Sequence, residues 1–170
     1  NGSDDNLTIQ IIRIAATPVA LSDEAINESA DLPVAPPLEA RTVFEGFRIL
    51  RSLYSSSRSH LYLAEHIDSG RQAVIKVPSV DLRSDDTYLK RFMMEEWVAR
   101  RINSAHVLRA FDLTGKRTFR YSVMEYIDGK TLTQWMADNP LPDLDVVRDI
   151  VEQIAKGLRA FHRMEMLHQD

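Results

Sequence analysis

The chain contains no cysteine, which excludes disulfide staples and thiolate metal sites. That fits a reducing compartment, and the expected location is cytoplasmic. No apolar run approaches the roughly 20 residues that cross a bilayer, and no secretory leader is visible at the N-terminus. A membrane anchor outside this stretch stays open. Positive charge is not in excess. The 21 Lys and Arg face 25 Asp and Glu, and the net charge of −4 gives no general attraction to nucleic acid or anionic lipid. No internal repeat is present. What remains is ordinary for a folded domain: 170 residues, 44% apolar and 27% charged, enough for one domain or slightly more.

The most informative stretch is Arg71-Gln72-Ala73-Val74-Ile75-Lys76-Val77-Pro78. Its β-branched residues predict a half-buried strand. Asp68-Ser69-Gly70 predicts a tight turn before it, with Ser59 to Ile67 as the hairpin partner. Lys76 has two readings. It is either an edge residue whose stem lies on apolar surface, or a fixed cation aimed at a phosphate.

Asp85 to Asn103 predicts a helix with Phe92, Ala99 and Ile102 on one face. Glu95 falls on that stripe, and a buried carboxylate needs a partner. Lys76 is the natural one. The alternative puts Glu95 at the rim of the stripe, as Glu96 is on the adjoining face.

Taken in order, Leu7 to Ile14 predicts a strand behind the turn-forming cluster Gly2-Ser3-Asp4-Asp5-Asn6. Ala15 to Arg41, with Pro18, Pro33, Pro36 and Pro37, reads as a semi-extended linker. Thr42 to Leu53 predicts the first strand of a sheet. Val107 to Leu113 and Thr118 to Met124 predict two more around Thr114-Gly115-Lys116. Thr131 suits the N-cap of a short helix ending near Asn139-Pro140. Asp143 to Met164 predicts the longest helix, with an apolar stripe through Leu144, Val147, Val151, Ile154, Leu158 and Phe161. His162 and His168 are not at ligand spacing on a helix face.

Four of these segments, in this order, resemble eukaryotic-like (Hanks-type) protein kinases. Ala73-Val74-Ile75-Lys76 resembles the V-A-I-K strand, and Phe92-Met93-Met94-Glu95 the start of helix C. Val123-Met124-Glu125-Tyr126-Ile127-Asp128-Gly129 resembles the hinge between lobes, and Leu167-His168-Gln169-Asp170 the H-R-D loop with Gln for Arg. The resemblance implies an α+β fold: a kinase N-lobe, with an antiparallel sheet and helix C, followed by the first helices of the C-lobe. It implies ATP as ligand, with Lys76 on its phosphates and Glu95 orienting Lys76. Leu53, Ser56, Ser59, Leu61, Val74, Met124, Glu125 and Ile127 would line the nucleotide site, Met124 as gatekeeper. Asp170 would be the catalytic carboxylate. The Mg²⁺ ligands would follow Asp170, so this stretch alone is expected to show no kinase turnover. Without the rest of the lobe, the apolar stripe of the longest helix is expected to lie uncovered.

The kinase pattern G-x-G-x-x-G falls on Tyr54, Ser56 and Ser59, so all three glycines are missing. Either the serines offer donors to phosphate, or the segment is a plain serine-rich hairpin turn. Gln169 removes the arginine that pairs with a phosphorylated activation loop, so control by that route is not expected.

Gly2 to Thr8 also resembles the closing motif of 2C-type serine/threonine phosphatases. There Asp5 would bind Mn²⁺ or Mg²⁺; read without the resemblance, it caps an Asx turn. The combined expectation is an internal stretch of a bacterial phosphatase–kinase fusion. Residues 1–14 would end the phosphatase-like domain, 15–42 form a linker, and 43–170 begin a serine/threonine kinase domain acting on protein hydroxyls. A non-catalytic alternative is a pseudokinase-like scaffold attached to the phosphatase. Nucleic acid is not an expected partner.

Overall fold

The computed structural model describes residues 32–113 and 115–166. The expected strand at Leu7–Ile14, Asp5, most of the linker, and His168, Gln169 and Asp170 lie outside the described residues.

Five strands form one antiparallel sheet in chain order: β1 Val43–Phe44, β2 Phe47–Ser55, β3 Ser59–His66, β4 Gln72–Pro78 and β5 Ser122–Glu125. Glu45 and Gly46 close the first hairpin with φ of 49° and 83°, the paired left-handed conformations that suit a two-residue turn. Asp68-Ser69-Gly70 turns β3 into β4, with the Gly70 N–H donating to the His66 carbonyl at 2.8 Å. The β2–β3 register slips twice, between Ile49 and Arg51 and between Ser52 and Tyr54, and such bulges bend a strand.

Alternation along β4 sends Ala73, Ile75 and Val77 into a core shared with Phe47, Ile49, Tyr62, Val123 and the aromatic rings of Phe44, Phe111 and Tyr121. The strand is not half-buried as its composition suggested. Val74 on the opposite face is also buried. Only Lys76, among the residues between Gln72 and Pro78, keeps partial exposure.

Two expectations need correction. Residues 33–38, read above as linker, pack on the sheet. The Arg120 N–H donates to the Pro33 carbonyl at 2.8 Å, Val34 bridges Arg120 in parallel, and Ala35 joins the core. Proline-rich composition reports chain stiffness and says nothing of docking. The expected strand at Val107–Leu113 is a single bridge, Ala110 to Met124, flanked by bonds from Phe111 N–H to Val123 O and Glu125 N–H to Arg109 O. Its partner begins at Ser122 instead of Thr118. Just upstream, Arg120 N–H and Tyr121 C=O are taken by Pro33 and the Arg117 side chain, so no ladder continues there.

A 3₁₀ turn at Val80–Leu82 leads to helix α1, Asp86–Ala99, whose N-cap Asp85 accepts from the Tyr88 N–H at 2.9 Å. The helix stops at Ala99, short of the expected Asn103. Arg101 N–H bonds back only three residues, to Val98 O. Ile102 still buries its side chain beyond the helix end. Helix α2, Leu132–Asp138, starts with a capping box between Thr131 and Gln134. Helix α3 spans Leu144–His162. Leu144, Val151, Ile154 and Leu158 of its apolar stripe are exposed, so the stripe lies uncovered among the described residues. No helix among the described residues is long and apolar enough to cross a membrane.

Helix α3 buries Gly157, where an added Cβ would stand 2.9 Å from the His106 carbonyl oxygen. Alanine favours a helix interior by about 1 kcal/mol over glycine, but overpacking costs about 1–3 kcal/mol. Gly157→Ala is expected to lower stability by about 1 kcal/mol in urea unfolding. A gain of that size would mean that α3 is not held against His106.

Candidate active site

Lys76 stands on β4 in register with Leu61 of β3 and Ser122 of β5. Val74, two residues earlier, is in register with Leu63 and Met124. Directly paired residues share a face, so Leu61, Leu63, Val74, Met124 and Lys76 lie on one side of the sheet. This is an apolar strip that ends in an ammonium group. Its chemistry suits a molecule with a flat apolar part and an anionic tail.

Helix α1 brings Glu95 to that ammonium. Lys76 Nζ and Glu95 Oε2 form an ion pair, and Nζ also lies 5.4 Å from the centre of the Phe92 ring. The lysine side chain is 20% exposed and the glutamate 59%. The sequence leaves Glu95 either on the buried stripe or at its rim, with Glu96 on the adjoining face. The rim position is the one found for Glu95, and Glu96 is the residue that is buried. Leu89, Phe92, Met93 and Glu96 are the buried residues of the helix, and Glu95 sits at the edge. The helix rotates so that Leu89 and Met93 centre the stripe, which puts Glu96, at +7 and +3, under the helix. Glu95 reaches Lys76 from the rim.

Of the remaining expected residues, Leu53 lies half-buried beside the second bulge of β2. Glu125 ends β5, with its N–H donated to Arg109 O at 3.0 Å and its carboxylate accepting from Arg109 N–H at 2.9 Å. Ile127, two residues on, is exposed.

Ser56 and Ser59 make the tip between β2 and β3. The Ser56 hydroxyl accepts from the N–H groups of Arg58 and Ser59, both at 3.2 Å, and donates to Ser59 O at 3.1 Å. No residue from Tyr54 to Ser59 has a positive φ. The turn therefore closes by serine side-chain bonding, where glycine would have closed it by conformational freedom. The Arg58 carbonyl accepts from Ser79 N–H at 2.7 Å and from the Tyr88 hydroxyl at 2.6 Å, which ties the tip to the start of α1. Burial, then the nearby Glu95 charge, raises the Tyr88 pKa, so its hydroxyl remains a donor at neutral pH.

Sequence reasoning missed a second polar cluster behind the strip. Arg117 grips Glu96, while Glu45 accepts from the Thr118 hydroxyl and, at 3.4 Å, from the Tyr121 hydroxyl. Burial, followed by the Glu45 charge, pushes the Tyr121 phenol from 10.0 up to about 12. The unfolded chain ionises this group near 10, so folded-state stability is full below that pH and drains as pH climbs toward 12. The expected loss over that window is about 2–3 kcal/mol. Tyr121→Phe is expected to flatten this part of the pH–stability curve in denaturant titrations, and an unchanged slope would refute the assignment.

Among the described residues no group of three or more His, Asp or Glu side chains is arranged to hold a metal ion.

Residues 47–170 match the family model "Protein kinase domain". The chain is 30% identical over 125 residues to the serine/threonine-protein kinase PrkC of Bacillus subtilis, covering 73% of this chain and 19% of that protein. It is 33% identical over 118 residues to PknA of Corynebacterium glutamicum, covering 66% and 25%. It therefore spans a quarter or less of the length of these curated relatives. The crystal structure of the Mycobacterium tuberculosis PknI kinase domain superposes with a TM-score of 0.65 at 30% identity, over 79% of this chain and 54% of that one. With the sheet order, the Lys76–Glu95 pair and the match over residues 47–170 in agreement, the chain belongs to the protein kinase domain family.

Proposed function

We propose that this chain supplies the nucleotide-binding half of a serine/threonine protein kinase that transfers the γ-phosphoryl group of ATP to a protein hydroxyl. The observation that carries the reading is the Lys76–Glu95 pair, which holds an ammonium at the end of the apolar strip. Adenine would lie against Leu61, Val74 and Met124, with the Glu125 carbonyl and the Ile127 N–H on its edge. Lys76 would meet the α- and β-phosphates while Glu95 fixes its direction. Asp170 would accept the proton of the substrate hydroxyl as its oxygen bonds to the γ-phosphorus and the bond to the β-phosphate oxygen breaks, releasing ADP. Mg²⁺, when bound, supplies neutralising charge on the phosphates. Upstream, Asp5 fits a metal ligand of a 2C-type phosphatase module joined to this kinase.

A second reading, a non-catalytic scaffold, draws support from the serine turn, whose Arg58 and Ser59 N–H groups are already bonded within the tip. Calorimetric titration of the full-length protein with ATP, with and without Mg²⁺, separates the two. Saturable binding that Lys76→Met abolishes supports the kinase. No binding in either protein leaves the scaffold.

A further inference from the structure

We propose that Glu96 and Arg117 form a positioning clamp that keeps Glu95 within reach of Lys76. The proposal rests on the kinase reading for its functional consequence. Its structural part stands on the following geometry.

Helix α1 meets the sheet mainly through Leu89, Phe92 and Met93, and apolar contact is non-directional. Contacts of that kind let a helix roll or slide by small amounts. The Tyr88 hydroxyl holds the first turn of α1 to Arg58, but near the helix C-terminus Glu95, 59% exposed, meets only the flexible Lys76 side chain. Glu96, one residue along, fixes the helix azimuth. It is 7% exposed, and both of its oxygens are engaged. Arg117 Nη1 donates to Oε2 at 2.7 Å and Nη2 donates to Oε1, a bidentate fork that fixes orientation as well as distance. Arg100 Nε adds a bond to Oε1 at 2.9 Å from within the same helical segment.

The second end of the clamp is anchored at the residue that leads into β5. Arg117 Nη1 also donates to the Tyr121 carbonyl at 3.0 Å, and its guanidinium lies 5.1 Å from the Tyr121 ring centre. The next residue, Ser122, is the register partner of Lys76. The contacts thus close a ring: Lys76, Ser122, Tyr121, Arg117, Glu96, Glu95 and back to Lys76. A shift of the helix that separates Glu95 from Lys76 must also break a buried two-point ion pair. The loop that carries Arg117 is therefore built into the geometry of the phosphate-binding lysine.

The test compares the full-length protein with Arg117→Met, Arg117→Lys and Glu95→Gln, and with the Arg117→Met/Glu95→Gln double variant, all below the melting temperature of the weakest. Phosphotransfer to a generic protein substrate gives kcat and KM for ATP, and hydrogen–deuterium exchange gives local opening. Arg117→Met is expected to lower kcat at least tenfold, to accelerate exchange in α1 more than in β2 and β3, and to be partly rescued by lysine. In the Glu95→Gln background its further effect should be under twofold, because the clamp acts through Glu95. Equal effects in both backgrounds, or exchange in α1 accelerated no further than the loss of global stability measured by denaturation accounts for, would overturn the proposal and leave the pair as general fold support. If the parent protein transfers no phosphate, the kinase reading fails, and the α1-specific exchange still decides whether the clamp holds the helix.

Discussion

Lys76→Met in the full-length protein is expected to reduce phosphoryl transfer by about 10²–10³-fold while leaving the melting temperature nearly unchanged. The size of the loss follows from the role. A fixed donor aimed at developing charge in a partly dry site is worth about 3–4 kcal/mol of barrier. The small effect on folding follows from exposure. Glu95 is more than half exposed, and ion pairs of that kind contribute roughly 0–1 kcal/mol. Methionine keeps an apolar stem on the sheet face that Lys76 shares with Val74. Activity and stability should therefore separate, and paired phosphotransfer and thermal-unfolding measurements check this. A fall in melting temperature matching the loss of activity would mean that Lys76 is mainly structural.

Arg117→Met should behave in the opposite way toward folding. Removing one member of a buried ion pair costs about 3–5 kcal/mol, because the surviving charge is left in a poor solvent. The lower end, about 3 kcal/mol, is expected here because Arg100 still bonds Glu96. Burial alone would lower the Arg117 pKa, but the hydrogen bond and charge of Glu96 raise it, so the guanidinium stays charged at any pH at which the fold survives. Replacing both partners, Glu96→Leu with Arg117→Met, should recover a large part of the loss by leaving no orphan charge. Chemical denaturation of Arg117→Met, Glu96→Leu and the double variant measures this directly. A double variant no better than the single ones would place the energy in packing instead of charge.

Much of this was legible in the sequence. The β-branched run around Lys76, the turn at Asp68-Ser69-Gly70 and the cap at Thr131 are local signals, and the structure follows them. The Lys76–Glu95 pair is found as expected, although the burial that argued for it belongs to Glu96. The failures concern what lies across space. The stripe of α1 was misjudged by about one position because Ala99 and Ile102 were weighted as helix core, whereas the helix ends at Ala99. Glu96 then looked exposed, since its partner Arg117 sits 21 residues away in a loop with no periodicity to mark it. The docking of residues 33–38 is invisible for a similar reason: a carbonyl that accepts from the Arg120 N–H leaves no trace in composition. The serine tip has two readings in the sequence because hydroxyls can serve a ligand or their own backbone, and the fold engages the Arg58 and Ser59 donors within the tip.

The self-bonded tip at Ser56 has a thermodynamic consequence. A glycine-rich loop is loose when empty and is ordered by the nucleotide, so part of the ligand's binding free energy is lost to chain entropy. Here the hydroxyl of Ser56 and the two donors on the Arg58 carbonyl order the tip as the chain folds. A nucleotide arriving beneath it would meet a nearly rigid lid, with a smaller entropic penalty and fewer free amides to offer in return. The balance of heat and disorder on binding should therefore differ from that of glycine-loop relatives, even where the affinities coincide.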